Sequence, residues 1–205
     1  MRNKYIVEFI GTFFLVLVVA LSGNPIAIGS ILMAMVYMGG YISGAHYNPA
    51  ISTMLLLQKQ IDSNTWLRYV GVQFLAAICA SAVYWWVKQT YFLPSPGSGV
   101  DFFTAFLMEL IFTFALCSVV IHTAATEKTK GNNYYGLAIG FTVAAGAFAV
   151  GPISGGAFNP AVGIGPLLLD FQNIGMHFGN ILLYLLGPLA GALAASLVYT
   201  QISKK

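Results

Sequence analysis

Two triplets of the same composition, Asn48-Pro49-Ala50 and Asn159-Pro160-Ala161, are the residues of this chain best suited to chemistry at a point. An asparagine oxygen accepts from the backbone N–H groups that open a helix, and its NH2 group stays free to donate elsewhere. A proline in the next position is at home in the first helical turn. Each triplet therefore reads as a helix start, and the apolar stretches behind them, Ala50 to Leu57 and Ala161 to Leu169, are short. At 1.5 Å per residue they reach only about 12 to 15 Å. Such a pair offers donors, carbonyls and positive helix ends, which serve recognition and passage rather than bond-making. There is no Ser/His/Asp set, no His-Glu-x-x-His spacing and no nucleophile with an evident base, so the chain is not expected to be an enzyme.

The elements that must hold these triplets follow from composition. Of 205 residues only 15 are charged, 7%, and 58% are hydrophobic. A soluble domain carries about 25% charged residues, so this chain is expected in a lipid bilayer. Membrane lipid is then its first partner. Nucleic acid is not one, because no run of five or six basic residues exists. A span uses roughly 20 residues, which leaves room for at most about eight spans and no soluble domain. Hydropathy predicts six, at 5–22, 26–43, 66–87, 102–125, 134–152 and 174–200. Glu8 interrupts the first apolar run and no small-residue cleavage site follows it, so it reads as a span rather than a signal peptide. The two short stretches then become half-helices that dip in and return.

Basic residues test this layout, since cytoplasmic loops collect Lys and Arg. With both termini inside, Arg2, Lys4, Lys59, Arg68, Lys128, Lys130, Lys204 and Lys205 lie on the cytoplasmic side and only Lys88 outside. Trp66, Trp85, Trp86, Tyr134 and Tyr135 fall at span ends, as interfacial aromatics should. The longest connection carries Pro94-Ser95-Pro96-Gly97-Ser98-Gly99.

The chain also repeats itself: Glu8 to Phe13 matches Glu109 to Phe114, Ile42 to Ala50 matches Ile153 to Ala161, and Tyr69, Gln73 and Ala77 match Tyr184, Pro188 and Ala192. One channel domain over 1–205 with repeats near 1–98 and 99–205 is expected. Each repeat holds three spans, an odd number, so the second enters from the opposite face and the repeats are inverted. The half-helix N-termini then meet near the midplane, with the carbonyls of Ser43 to Tyr47 and Ser154 to Phe158 as acceptors along a passage. Each N-terminus acts like about +0.5 charge. A cation about 5 Å from the resulting pair, at an effective dielectric of about 20, is repelled by about 3 kcal/mol, and a neutral solute is not.

Glu8 and Glu109 are expected to accept from backbone N–H groups of the re-entrant loops; a headgroup-level position for Glu8 and a proton relay are the rival readings. His46 reads as a packed core residue on composition alone, while His122 and His177 have no evident partner. Cys79 and Cys117 read as small core residues, and Gly136/Gly140 and Gly187/Gly191 as close helix contacts.

The paired triplets, preceded by Ser43-Gly44-Ala45-His46 and Ser154-Gly155-Gly156-Ala157, resemble the aquaporins, the major intrinsic protein family, over essentially the whole chain. The resemblance implies an all-α membrane protein, an aquaporin-like bundle of six transmembrane helices plus two re-entrant half-helices, with one pore per subunit and a homotetramer. It implies that Gly44, Ala45, His46, Gly155 and Ala157 line that pore, with His46 at the cytoplasmic side, and that no cofactor is bound. The family's outer constriction maps onto Ile28, Ala147, Gly156 and Val162, where an aromatic, a His, a small residue and an Arg are usual. Only the small residue is present, so the constriction should be wider and less polar. Gly163, where glycerol-conducting members carry Asp, argues against a standard glycerol facilitator; Leu185, where water channels often carry Trp, points the other way. The expected function is passive passage of water and small neutral solutes such as ammonia, hydrogen peroxide, glycerol or urea, excluding ions and protons. A facilitator with little water specificity and a secondary transporter are the alternatives. Short tails suggest a prokaryotic plasma membrane.

Overall fold

Asparagine and proline decide where several helices begin in the computed structural model, which describes residues 2–203; Lys204 and Lys205, two of the basic residues used for orientation, lie outside the described residues. The helix α1 (Arg2–Ser22) gives way to α2 (Pro25–Ser43), which Asn24 caps. Asn48 and Asn159 cap the half-helices α3 (Pro49–Leu57) and α7 (Pro160–Leu169). Asp62 and Asp101 cap the long helices α4 (Ser63–Lys88) and α5 (Phe102–Val120). After α5 come a π turn (Ile121–Ala125), then α6 (Tyr135–Ser154), and the chain closes with α8 (Phe178–Ile202). There is no strand among the described residues.

Six helices are long and apolar enough to cross a membrane, and their bounds stay within a few residues of the hydropathy spans. The differences are at caps: Asp62 starts α4 three residues early, and turns over Asp170 to His177 delay α8 to Phe178. Where helices cross, small residues are buried, and many large apolar ones face outward. Ala76, Ala77, Ala80 and Ala192 are fully buried, while Phe14, Trp86, Phe141, Phe148 and Leu197 are exposed. That inversion suits lipid, where helices associate through small residues that let backbones approach. Gly29 and Gly140 meet in this way where α2 crosses α6, and Gly191 lies against the α5 backbone at Leu110.

Tyr47 and Phe158, the residues before the two capping asparagines, anchor the re-entrant loops by different means. The Tyr47 ring lies on Gly11 of α1, and its hydroxyl donates to the Met35 carbonyl at 2.9 Å. Phe158 stacks on Phe112, the repeat partner of Gly11, at 5.6 Å between centroids. A Cβ at Gly11 would fall inside the Tyr47 ring. Gly11→Ala is therefore expected to destabilise by about 1–3 kcal/mol, the usual cost of overpacking, and to lower the thermal unfolding temperature in detergent. An unchanged unfolding temperature would count against this packing.

Candidate functional site: a cavity between the two half-helices

The half-helices meet N-terminus to N-terminus and are tied by reciprocal bonds. The Asn48 amide donates to the Phe158 carbonyl and the Asn159 amide to the Tyr47 carbonyl, both at 2.9 Å. Each asparagine oxygen meanwhile accepts from its own helix, from Ala50 N at 2.8 Å and Ala161 N at 2.9 Å. One N–H of each amide is thus spent across the junction, and the other remains to donate.

The loops leading to these caps are strained on purpose. Gly44, Ala45 and Tyr47 have φ of 87°, 50° and 50°, and Gly155, Gly156 and Phe158 have 90°, 62° and 49°. Left-handed backbone costs roughly 1–2 kcal/mol at each residue other than glycine, so something must hold it. Glu8 does so in the first repeat: it is fully buried and accepts from Ser43 Oγ (2.7 Å), His46 N (2.9 Å), Tyr47 N (2.8 Å) and Gln73 Nε2 (2.9 Å). Glu109, equally buried, accepts from Ser154 Oγ (2.7 Å), Ala157 N (3.0 Å) and Phe158 N (2.7 Å).

The acceptor track along the passage is shorter than the two five-residue runs, Ser43 to Tyr47 and Ser154 to Phe158, would give. The Tyr69 hydroxyl donates to the Ser43 carbonyl (2.7 Å) and the Tyr184 hydroxyl to that of Ser154 (2.8 Å). With Tyr47 and Phe158 bonded to the asparagines, the carbonyls of these loops that have no donor among the described residues are those of Gly44 to His46 and Gly155 to Ala157.

Beside this track lies a cavity of about 280 Å³. Ala45, His46, Asn48, Gly155, Gly156, Ala157 and Asn159 line it from the loops. Four apolar stripes at four-residue spacing face them: Leu15 and Val19 on α1, Ile28, Leu32 and Val36 on α2, Leu116 and Val120 on α5, and Ile139, Val143 and Ala147 on α6. Val162 completes the wall from α7. Ile28, Ala147, Gly156 and Val162 thus face one space. Gly44 sits outside its enclosed part, at the exposed C-cap of α2. Pro49, Ala50, Pro160 and Ala161 are buried in the helix starts, and Glu8 and Glu109 stand behind the loops rather than in the wall.

Some features escape the sequence pattern. Phe92, Leu93 and Ser95, from the connection between α4 and α5, line the cavity, held by Gly97 N donating to the Ile153 carbonyl (2.9 Å). A run of turn residues gives no hint of that docking. His177, without an evident partner in the sequence, bonds Asp170 at 2.9 Å, and the His122 ring packs edge-on against Tyr199.

A polar track walled by apolar stripes, inside a bundle of six spans with two opposed half-helices, defines a membrane channel. The model of the family described as Major intrinsic protein matches residues 19–199, and the chain belongs to that family. It is 34% identical to the glycerol uptake facilitator protein-like 6 of Lactiplantibacillus plantarum, over 95% of each chain. It is 30% identical to the putative aquaporin NIP4-1 of Arabidopsis thaliana, over 98% of this chain and 75% of that one. The X-ray structure of the aquaglyceroporin from Plasmodium falciparum shares the fold, with a TM-score of 0.81 at 21% identity, covering 98% of this chain and 97% of that one. The chain is accordingly an integral membrane protein and a passive channel for water and small neutral solutes, not an enzyme.

Proposed function

We propose that this channel passes water together with other small neutral solutes, ammonia, hydrogen peroxide, glycerol and urea among them, and refuses ions and protons. The observation that carries the reading is the wall formed by Ile28, Ala147, Gly156 and Val162, which bears no charged or polar side chain. In this reading those four form the constriction, Asn48 and Asn159 orient solute where the half-helices meet, and His46, Ala45, Gly155 and Ala157 line the track, with Gly44 at its inner mouth. Glu8 and Glu109 brace the loops. A relative named for glycerol uptake and another named as an aquaporin support both halves of the solute range.

Stopped-flow light scattering of proteoliposomes tests it. Water and glycerol permeability should both exceed that of empty vesicles, without saturation or ion coupling, which a secondary transporter would require. Glycerol flux without added water flux would favour a facilitator of little water specificity. A proton leak reported by a trapped pH dye would count against exclusion by the half-helix dipoles alone.

The working unit in this reading is residues 1–205 as one channel of two inverted repeats, assembled as a homotetramer in a prokaryotic plasma membrane with both termini cytoplasmic. Chemical cross-linking in detergent that stops at monomer would contradict the assembly.

A further inference from the structure

The two repeats differ around the first loop. Where the second repeat has Ala157, Gly163 and Pro188, the first has His46, Ser52 and Gln73. Glu109 holds its loop without any counterpart of Gln73. Bracing alone therefore does not need the extra polar groups, all three of them buried.

Hydrogen-bond accounting gives them another task. The Glu8 carboxylate only accepts, so Gln73 must turn its nitrogen toward it. Gln73 Nε2 lies 2.9 Å from Glu8 Oε2 and 3.1 Å from Ser52 Oγ, which uses both of its hydrogens. Its Oε1 is buried without a partner, yet reversing the amide would press that oxygen against the carboxylate. Ser52 Oγ, fully buried, thus accepts from Gln73 and has its own hydrogen to place. The remaining partner is His46 Nδ1 at 3.0 Å. If the ring donated there instead, the hydroxyl hydrogen would be left unbonded in a buried site, the costly alternative.

Resting on the reading of this cavity as the pore, we infer that Gln73 and Ser52 are positioning residues that fix His46 as the Nε2–H tautomer and make it a donor to passing solute. Nε2 is kept uncovered by Gly44: a Cβ there would sit 3.1 Å from it. The loop carbonyls accept, so this ring supplies a donor on an otherwise accepting stretch. The titratable groups around the ring are Glu8 on α1, Tyr69 on α4 with its ring 4.9 Å away, and Lys4 further along α1.

Nitrogen NMR of the full chain in lipid bilayers, with 15N-labelled histidine and His46 assigned by its loss in His46→Gln, reads the tautomer directly. The expected wild-type spectrum has the His46 proton on Nε2 alone between about pH 6 and 8, the range where an unconstrained histidine changes charge. Ser52→Ala should distribute the proton over both nitrogens and lower water permeability about threefold, the scale of one modest hydrogen bond. Ser52→Thr should restore both. Gln73→Leu leaves the Ser52 hydrogen with the same single partner, so the proton should stay on Nε2, with the His46 signal broadened because the Ser52 oxygen loses the donor that holds it. A wild-type proton on Nδ1 overturns the inference whether or not the variants fold, and so does an undisturbed Nε2–H tautomer in Ser52→Ala. A chain that conducts with the wrong tautomer defeats this inference alone; one with the expected tautomer that fails to conduct defeats the pore reading.

Discussion

Replacing Glu109 by leucine should abolish water permeability and most of the folded protein, although Glu109 is not in the cavity wall. Its carboxylate is the acceptor for Ser154 Oγ, Ala157 N and Phe158 N, all within 3.0 Å. Leucine fills the space and leaves the buried N–H groups of Ala157 and Phe158 without a partner, at about 1–3 kcal/mol each, while the Ser154 hydroxyl keeps only its longer contact to the Val150 carbonyl at 3.5 Å. The sum, about 2–6 kcal/mol, is comparable with the stability of a marginal domain, about 5 kcal/mol. The loop would also lose what holds Phe158 at φ 49°, so surviving protein should have a displaced Asn159 and a broken carbonyl track. Glu109→Gln keeps one good acceptor and should leave a weakened channel. Glu8→Gln should be milder, because the new NH2 group can donate to Gln73 Oε1, which has no partner at present. Monodisperse yield on size exclusion and stopped-flow permeability rank the variants. Wild-type permeability in Glu109→Leu would refute the bracing role.

The same residues explain what the sequence makes legible. Asn-Pro pairs announce both half-helices because capping is local: the oxygen bonds an N–H two residues on. The spans are legible because hydropathy needs no partner. The trimmed carbonyl track is not, since Tyr69 reaches Ser43 and Tyr184 reaches Ser154 across 26 and 30 residues. The match of Tyr69 with Tyr184 in the repeat was the available signal, a shared residue with no stated task. The mismatch of Gln73 with Pro188 was a stronger signal, because an inverted repeat that breaks its own pattern at a buried polar residue marks an asymmetric function. The docking of Phe92 to Ser95 on the cavity left no trace, as it depends on a backbone bond from Gly97 to a helix end in the other repeat and on Asn180 Nδ2 donating to the Pro94 carbonyl, both long-range. The His177–Asp170 bond closes an irregular turn that neither helical nor strand periodicity describes.

Val162→Arg should turn a broad neutral-solute channel into a narrower one. Val162 stands in the first turn of α7, 5% exposed, on the same space as Ile28 and Ala147. Arginine there adds bulk, up to five donors and a permanent charge. The bulk acts on glycerol and urea, which must fit past it, more than on water. Glycerol flux is expected to fall at least about tenfold, equivalent to about 1.4 kcal/mol of added barrier. Water flux should stay within about threefold, because the new donors replace hydrogen bonds that a narrower opening removes. The guanidinium needs acceptors at this depth, and the carbonyls of Gly155, Gly156 and Ala157 have no donor among the described residues; without them a buried charge would cost several kcal/mol and the variant would fail to fold. Folded yield is therefore measured beside flux. Val162→Leu separates the causes, since it adds bulk without charge. Equal loss of glycerol flux in both variants assigns selection to size, whereas loss confined to the arginine variant assigns it to the donors and charge. Unchanged glycerol flux in a folded Val162→Arg channel would remove Val162 from the constriction altogether.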